Sequence, residues 1–217
     1  KSTIGRKEEM TASEILTLIV AMDFLEFTSE RRYLEFVRAN YKPLFPKLLD
    51  QSQYNRRTRE LTSILDALRL TWADDLGLAF EKYFLLDTTP VITIGYRRDK
   101  SHSDFLGSAG YGYCAARKLK YFGYKLVLLS TLDGIPGIFE LVPANTDERA
   151  AADEVLDRLP RGSLVIGDKG FIGEEWQRTW SEINILTQSR ENQKGQLPKS
   201  VTKWMIGLRE RIEGVYK

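Results

Sequence analysis

The sequence predicts a mixed α/β sheet with helices packed on it, preceded by an all-α helical region. Three observations predict it. Before about residue 80, apolar residues recur at helical spacing. After it, short apolar and β-branched runs alternate with helical stretches, which implies strands covered by helices. The runs on either side of Asp133-Gly134 read as a hairpin, so the sheet begins antiparallel and becomes mixed.

The elements follow in order. Ser13 is placed to cap a first helix carrying Ile15, Leu16, Ile19, Val20 and Met22. A second begins at Ser29 and carries Tyr33, Leu34, Phe36 and Val37. Pro43 and Pro46 interrupt the chain. A third runs as one segment from Ser52 to Leu68, with Arg56, Arg57 and Arg59 in its early turns. Three helices, the last presenting arginines near its start, fit a helix-turn-helix that reads DNA through phosphates or base edges. The same pattern fits a helical bundle used for dimerisation.

Extended segments then come at Tyr83–Leu86, ending in Asp87, and at Val91–Ile94. Leu119–Thr131 and Ile138–Val142 form the hairpin. Thr146–Leu159 reads as a helix with Asp147 and Glu148 at its positive end. Ser163–Ile166 is a strand running into Gly167-Asp168-Lys169-Gly170. Glu174–Trp180 is a helix, Ile183–Thr187 a strand, and Ser200 onward a helix with an apolar stripe. The expected organisation is a helical region over 1–80 and a catalytic core over 81–217.

Composition narrows the chemistry. Cys114 is the one cysteine, so an internal disulfide and a cysteine-type zinc site are excluded, and a reducing cytoplasm fits. His102 is the one histidine, and a lone imidazole reads as structural or solvated. Chemistry in this chain falls to carboxylates. No apolar run reaches membrane-spanning length and no signal peptide is visible, so no membrane partner is expected. The net charge of +2 decides nothing, but its distribution does. From Arg97 to Lys125, seven basic residues, among them Lys118, Lys120 and Lys125, face two acidic ones and are interleaved with tyrosines and phenylalanines. A second basic stretch after Gln188 includes Arg190 and Lys194. Such mixtures suit phosphate contact and base stacking, and also fit a solvated loop over core aromatics.

Three acids fall at telling places. Asp87 and Asp168 end two strands that can lie side by side, and Glu213 sits on the last helix. Adjacent carboxylates repel unless a cation lies between them, and oxygen ligands suit magnesium. Two ions about 4 Å apart would clamp the attacking and leaving oxygens of a displacement at phosphorus. Each acid also has a plain reading: Asp87 as a cap, Asp168 as a turn residue, Glu213 as a solvated helix residue.

Several segments resemble the DDE transposases of bacterial insertion sequences, most closely group nine-eight-two. These are Leu85-Leu86-Asp87-Thr88-Thr89-Pro90-Val91, Tyr111-Gly112-Tyr113-Cys114 with Tyr121-Phe122-Gly123-Tyr124-Lys125-Leu126, Asp133-Gly134-Ile135-Pro136, Gly167-Asp168-Lys169-Gly170-Phe171 and Arg209-Glu210-Arg211-Ile212-Glu213. Ser52-Gln53-Tyr54-Asn55-Arg56-Arg57 is similar too. Ile206 stands where the wider family has a tyrosine.

The resemblance implies an RNase H-like core in which Asp87, Asp168 and Glu213 hold two Mg²⁺ ions, with Mn²⁺ able to substitute. It implies hydrolysis at transposon ends followed by strand transfer into target DNA. Arg209 would touch phosphate. Apart from the resemblance, Arg56, Arg57, Arg59, Lys118, Lys120, Lys125, Lys169, Arg190 and Lys194 are further candidates for DNA contact. A homodimer assembled on DNA, in the cytoplasm at the nucleoid, is the expected setting. Ending four residues after Glu213, the chain reads as truncated at its C-terminus. An RNase H-like endonuclease or resolvase without strand transfer remains open. So does an inactive, truncated transposase that only binds DNA.

Overall fold

The structure, a computed structural model, describes residues 9–98, 100–115, 117–188 and 197–215, without the side chains of Arg209 and Glu213. It divides into two units, Lys1–Leu76 and Gly77–Lys217.

The first unit contains four helices: α1 (Ala12–Phe24), α2 (Glu30–Asn40), α3 (Gln51–Glu60) and α4 (Thr62–Asp75). Thr11, rather than Ser13, caps α1. Its hydroxyl accepts from Glu14 N while the Glu14 carboxylate accepts from Thr11 N, a reciprocal capping box. Ser29 caps α2 as expected. The single third helix of the sequence reading is two helices. Leu61, with φ −94° and ψ 5°, ends α3 and begins α4, and Thr62 Oγ1 bonds back to Arg59 O across the break. Ile15, Leu18, Tyr33, Leu34, Val37, Tyr54 and Leu61 form the buried core of this unit. Asp50 caps α3 through a bond from Gln53 N.

The second unit is built on β1 (Tyr83–Ile94), one continuous strand where the sequence suggested two. Pro90 lies inside it. Beyond Leu86, among the described residues, β1 pairs only with β3 (Leu119–Thr131), so a residue without an N–H is tolerated beside an open edge. β3 runs antiparallel to β1, and β4 (Pro136–Pro143) antiparallel to β3. β5 (Leu164–Gly167) is parallel to β1, and β6 (Asn184–Thr187) parallel to β5. A strand not foreseen from the sequence, β2 (Gly110–Cys114), pairs with the first residues of β3. Apart from β2, the spatial order β4-β3-β1-β5-β6 gives an RNase H-like mixed sheet.

Alternation along the strands assigns the two faces. Phe84, Leu86, Val127, Leu129 and Val165 point to one, covered by α5 (Glu148–Leu156) and α6 (Glu174–Thr179). Trp176 and Trp180 on that side both donate their indole N–H to Asp153 Oδ1, at 2.7 and 2.8 Å. Leu85, Ile166 and Leu186 point to the other face. There Met205, Leu208 and Ile212 of α7 (Lys199–Val215) pack onto them. Among the described residues no helix is long and apolar enough to cross a membrane.

Candidate active site

The parallel ladder between β1 and β5 pairs Leu85 with Ile166 and ends at Leu86 with Gly167. Asp87 and Asp168 are the next residue on each strand. Both are half-buried. By alternation they share the face of Leu85 and Ile166, the face that carries α7. Past this row the strands part. Asp168 adopts φ −76° and ψ 175° and begins a 3-10 turn over Lys169–Phe171, its carboxylate accepting from Lys169 N. The turn role read for Asp168 from the sequence is therefore present, and it leaves the second oxygen to other partners. β1 continues alongside β3, with Asp87 opposite Leu128. A cleft at diverging strand ends is where open sheets take ligands.

A third residue stands level with them. The β5–β6 ladder ends at Gly167 and Thr187, so Gln188 continues the row Asp87, Asp168, Gln188. Leu186, two residues earlier, packs with Ile166, so Gln188 faces the same side. It is 6% exposed, and its Nε2 is buried without a hydrogen-bond partner. No sequence pattern marks a single glutamine at a strand end. Only the register singles it out.

Glu213 lies on α7, directly after Ile212, which packs with Leu85 and Ile166. Its side chain, like that of Arg209, lies outside the described residues. The end of α7 runs beside the turn between β3 and β4: Arg211 Nη1 donates to Leu132 O at 2.9 Å. Among the described residues no three His, Cys, Asp or Glu side chains approach closely enough to hold a metal ion. The two described acids of the expected triad are brought level, and the third is carried on the helix that covers their face.

The basic candidates scatter. Lys169 is exposed beside Asp168. Lys118 and Lys120, both exposed, line a groove of about 830 Å³ with Gly95, Tyr96, Arg97, Arg98 and Tyr113. Lys125 points to the opposite face of β3 from Leu128, and its Nζ donates to Thr146 O at 2.6 Å. In the first unit Arg56 is exposed on α3, Arg57 pairs with Glu60 at 2.8 Å, and Arg59 bonds to Asn55. Arg190 and Lys194 lie outside the described residues.

Electrostatics near the sheet centre on Asp147, which caps α5. Burial raises its pKa, but bonds from Arg149 N and the Arg149 side chain, with the arginine's charge, outweigh this and hold the carboxyl below its ordinary value.

The transposase DDE domain family matches residues 79–213. The chain belongs to this family. A transposase DDE domain thus spans the whole sheet and α7 as far as Glu213. Among solved structures the chain is similar to the Mos1 transposase paired-end complex with the left transposon end, at 13% identity, over 100% of this chain and 78% of that one, with a TM-score of 0.29. The Mos1 strand transfer complex gives 13% identity, 100% and 77% coverage and a TM-score of 0.30. A pre-cleavage Mos1 transpososome gives 11%, 100% and 78%, and 0.29. Among curated proteins no match was found.

Proposed function

We propose that this transposase DDE domain cuts DNA at the ends of a mobile element and joins the freed 3′ end to a target, on divalent metal held by Asp87, Asp168 and Glu213. The observation that carries the reading is the register: Asp87 and Asp168 directly follow the last pair, Leu86 and Gly167, of two parallel strands. Neighbouring strands lie about 4.8 Å apart, so two carboxylates on one face there repel each other. A donor set of carboxylate oxygens suits a hard cation, Mg²⁺ or its substitute Mn²⁺, and fits a pair of such ions. When bound, the metal would polarise a phosphate oxygen and lower the pKa of the attacking water or 3′-hydroxyl.

The chain's own residues supply the rest. Asp87, inside β1, and Asp168, just past the end of β5, present oxygens from a rigid sheet, which fixes where a phosphodiester must lie. The bond from Lys169 N holds one Asp168 oxygen in place. Lys169 neutralises phosphate near the cut, and Arg209, Arg190 and Lys194 also contact the DNA. In the helical unit Arg56, Arg57 and Arg59 contact the DNA backbone. Pairing two DNA ends calls for a homodimer assembled on DNA.

The test is incubation of the full chain with a supercoiled plasmid and a 3′-hydroxyl oligonucleotide duplex in Mg²⁺. Metal-dependent nicking and joining, lost in Asp168→Asn, is the expected result. Nicking without joining would favour a nuclease. Activity unchanged in Asp168→Asn would remove the reading.

A further inference from the structure

The groove between the β1–β2 connection and the β2–β3 turn is built rather than incidental. Tyr96, Arg97, Arg98, Tyr113, Lys118 and Lys120 line it, four cations and two tyrosines with no carboxylate among the described lining residues. One wall is pinned. Lys100, only 7% exposed, donates its Nζ to Tyr96 O and lies 5.0 Å over the Tyr111 ring and 5.4 Å over Phe122. Tyr113 is 60% exposed. The groove opens on the face of the carboxylate row. Tyr113 pairs with Lys120, and Lys120 shares its side of β3 with Leu128, the partner of Asp87. Gly95 lies eight residue steps from Asp87 along β1, roughly 26 Å at strand rise.

We propose that this groove takes one or two unpaired nucleotides of a DNA strand, with phosphates on the four cations and a base stacked on Tyr113. Paired bases hide their faces inside the duplex, so an exposed ring among cations serves an unpaired strand. A volume of about 830 Å³ suits a ligand of that size. The inference rests on the DNA reading above but not on the metal. The test is fluorescence anisotropy of the full chain with an oligothymidylate and with a duplex of equal length, in EDTA. Tyr113→Ala is expected to weaken single-strand binding about tenfold, with Tyr113→Phe near wild type and duplex binding unchanged. Arg98→Ala with Lys120→Ala is expected to flatten the salt dependence. Equal losses on both DNA forms, or none in Tyr113→Ala, would overturn it. Asp168→Asn is expected to bind normally here, so a failed metal site and a failed groove are told apart.

Gln188 carries a second, independent inference. A buried amide N–H without an acceptor is costly, and the side chains level with it in the row are carboxylates. We infer that Gln188 is a positioning residue whose Nε2 donates to Asp168 when a cation is held there. Carboxylates that bind metal are themselves hydrogen-bonded, and loss of such a partner typically costs about 10- to 100-fold in metal affinity. Calorimetric titration of the full chain with Mn²⁺ tests it. Gln188→Leu is expected to bind at least tenfold more weakly while melting no lower than wild type. Equal Mn²⁺ affinity in Gln188→Leu and wild type would overturn the inference. A wild-type chain that binds no Mn²⁺ would overturn the metal site itself, and this role with it.

Discussion

Asp87 and Asp168 are each the first residue beyond the Leu86–Gly167 pair that closes the β1–β5 ladder. Both face the α7 side, so removing one charge relieves repulsion without removing packing. Asp87→Asn and Asp168→Asn are expected to melt at or above wild type in EDTA. Wild type is expected to gain about 2.7 kcal/mol from Mn²⁺ at a hundredfold excess over Kd, and the variants are expected to lose that gain. Differential scanning calorimetry with and without Mn²⁺ reads both effects. Asparagine still accepts from Lys169 N, so a fall in the metal-free melting temperature of Asp168→Asn would mark it as structural.

Gly123 lies where β3 passes the irregularity between Ile92 and Ile94 of β1. A Cβ there would stand 2.1 Å from Val91 O and 3.0 Å from Thr93 N, both rigid backbone. Gly123→Ala is expected to cost roughly 3 kcal/mol, read from the urea midpoint. An unchanged midpoint would show that β1 yields at this point.

Asp153 holds α6 to α5 through two indole donors. Asp153→Ala leaves both N–H groups without their acceptor and is expected to cost about 3 kcal/mol in denaturant unfolding. Asp153→Asn keeps one oxygen and is expected to cost less. A loss below about 0.5 kcal/mol in the alanine variant would mean that water replaces the carboxylate.

Tyr54 is buried in the helical unit with its hydroxyl unpaired, and burial, with Tyr33 and Glu30 nearby, pushes its pKa up to about 12. A raised pKa means that the folded state holds the proton more tightly than the unfolded chain, whose tyrosine titrates near 10. Its contribution is full below about pH 10 and is lost as pH rises toward 12. Tyr54→Phe is expected to melt no lower than wild type at neutral pH and to lose less stability between pH 10 and 12. Parallel pH profiles for the two proteins would contradict this.

Much of the sheet was legible because its strands contain apolar runs: Leu85-Leu86 before Asp87, where β1 nonetheless continues to Ile94, and Val165-Ile166-Gly167 before Asp168, where β5 ends. The order of the elements then implied a mixed sheet. β2 was not legible. Gly110-Tyr111-Gly112-Tyr113-Cys114 reads as loop, and β3 makes it a strand by offering an edge. The break at Leu61 carries no glycine or proline to announce it. The two extended segments read at Tyr83–Leu86 and Val91–Ile94 are one strand, since Pro90 between them lies beside the open edge of β1. Of the site, Asp168 was readable as a strand end, whereas Asp87, read as one, lies inside β1, where only the ladder to β5 ends. Gln188 was not, because its place depends on the registers of two ladders at once.

The central claim is that Asp87 and Asp168 hold a divalent ion with Glu213, and diffraction at the manganese edge from crystals soaked in Mn²⁺ tests it most directly. The predicted result is an anomalous peak contacted by both aspartates, with the Glu213 carboxylate completing its oxygen shell. Ordered aspartates with no peak between them at saturating Mn²⁺ would contradict the claim.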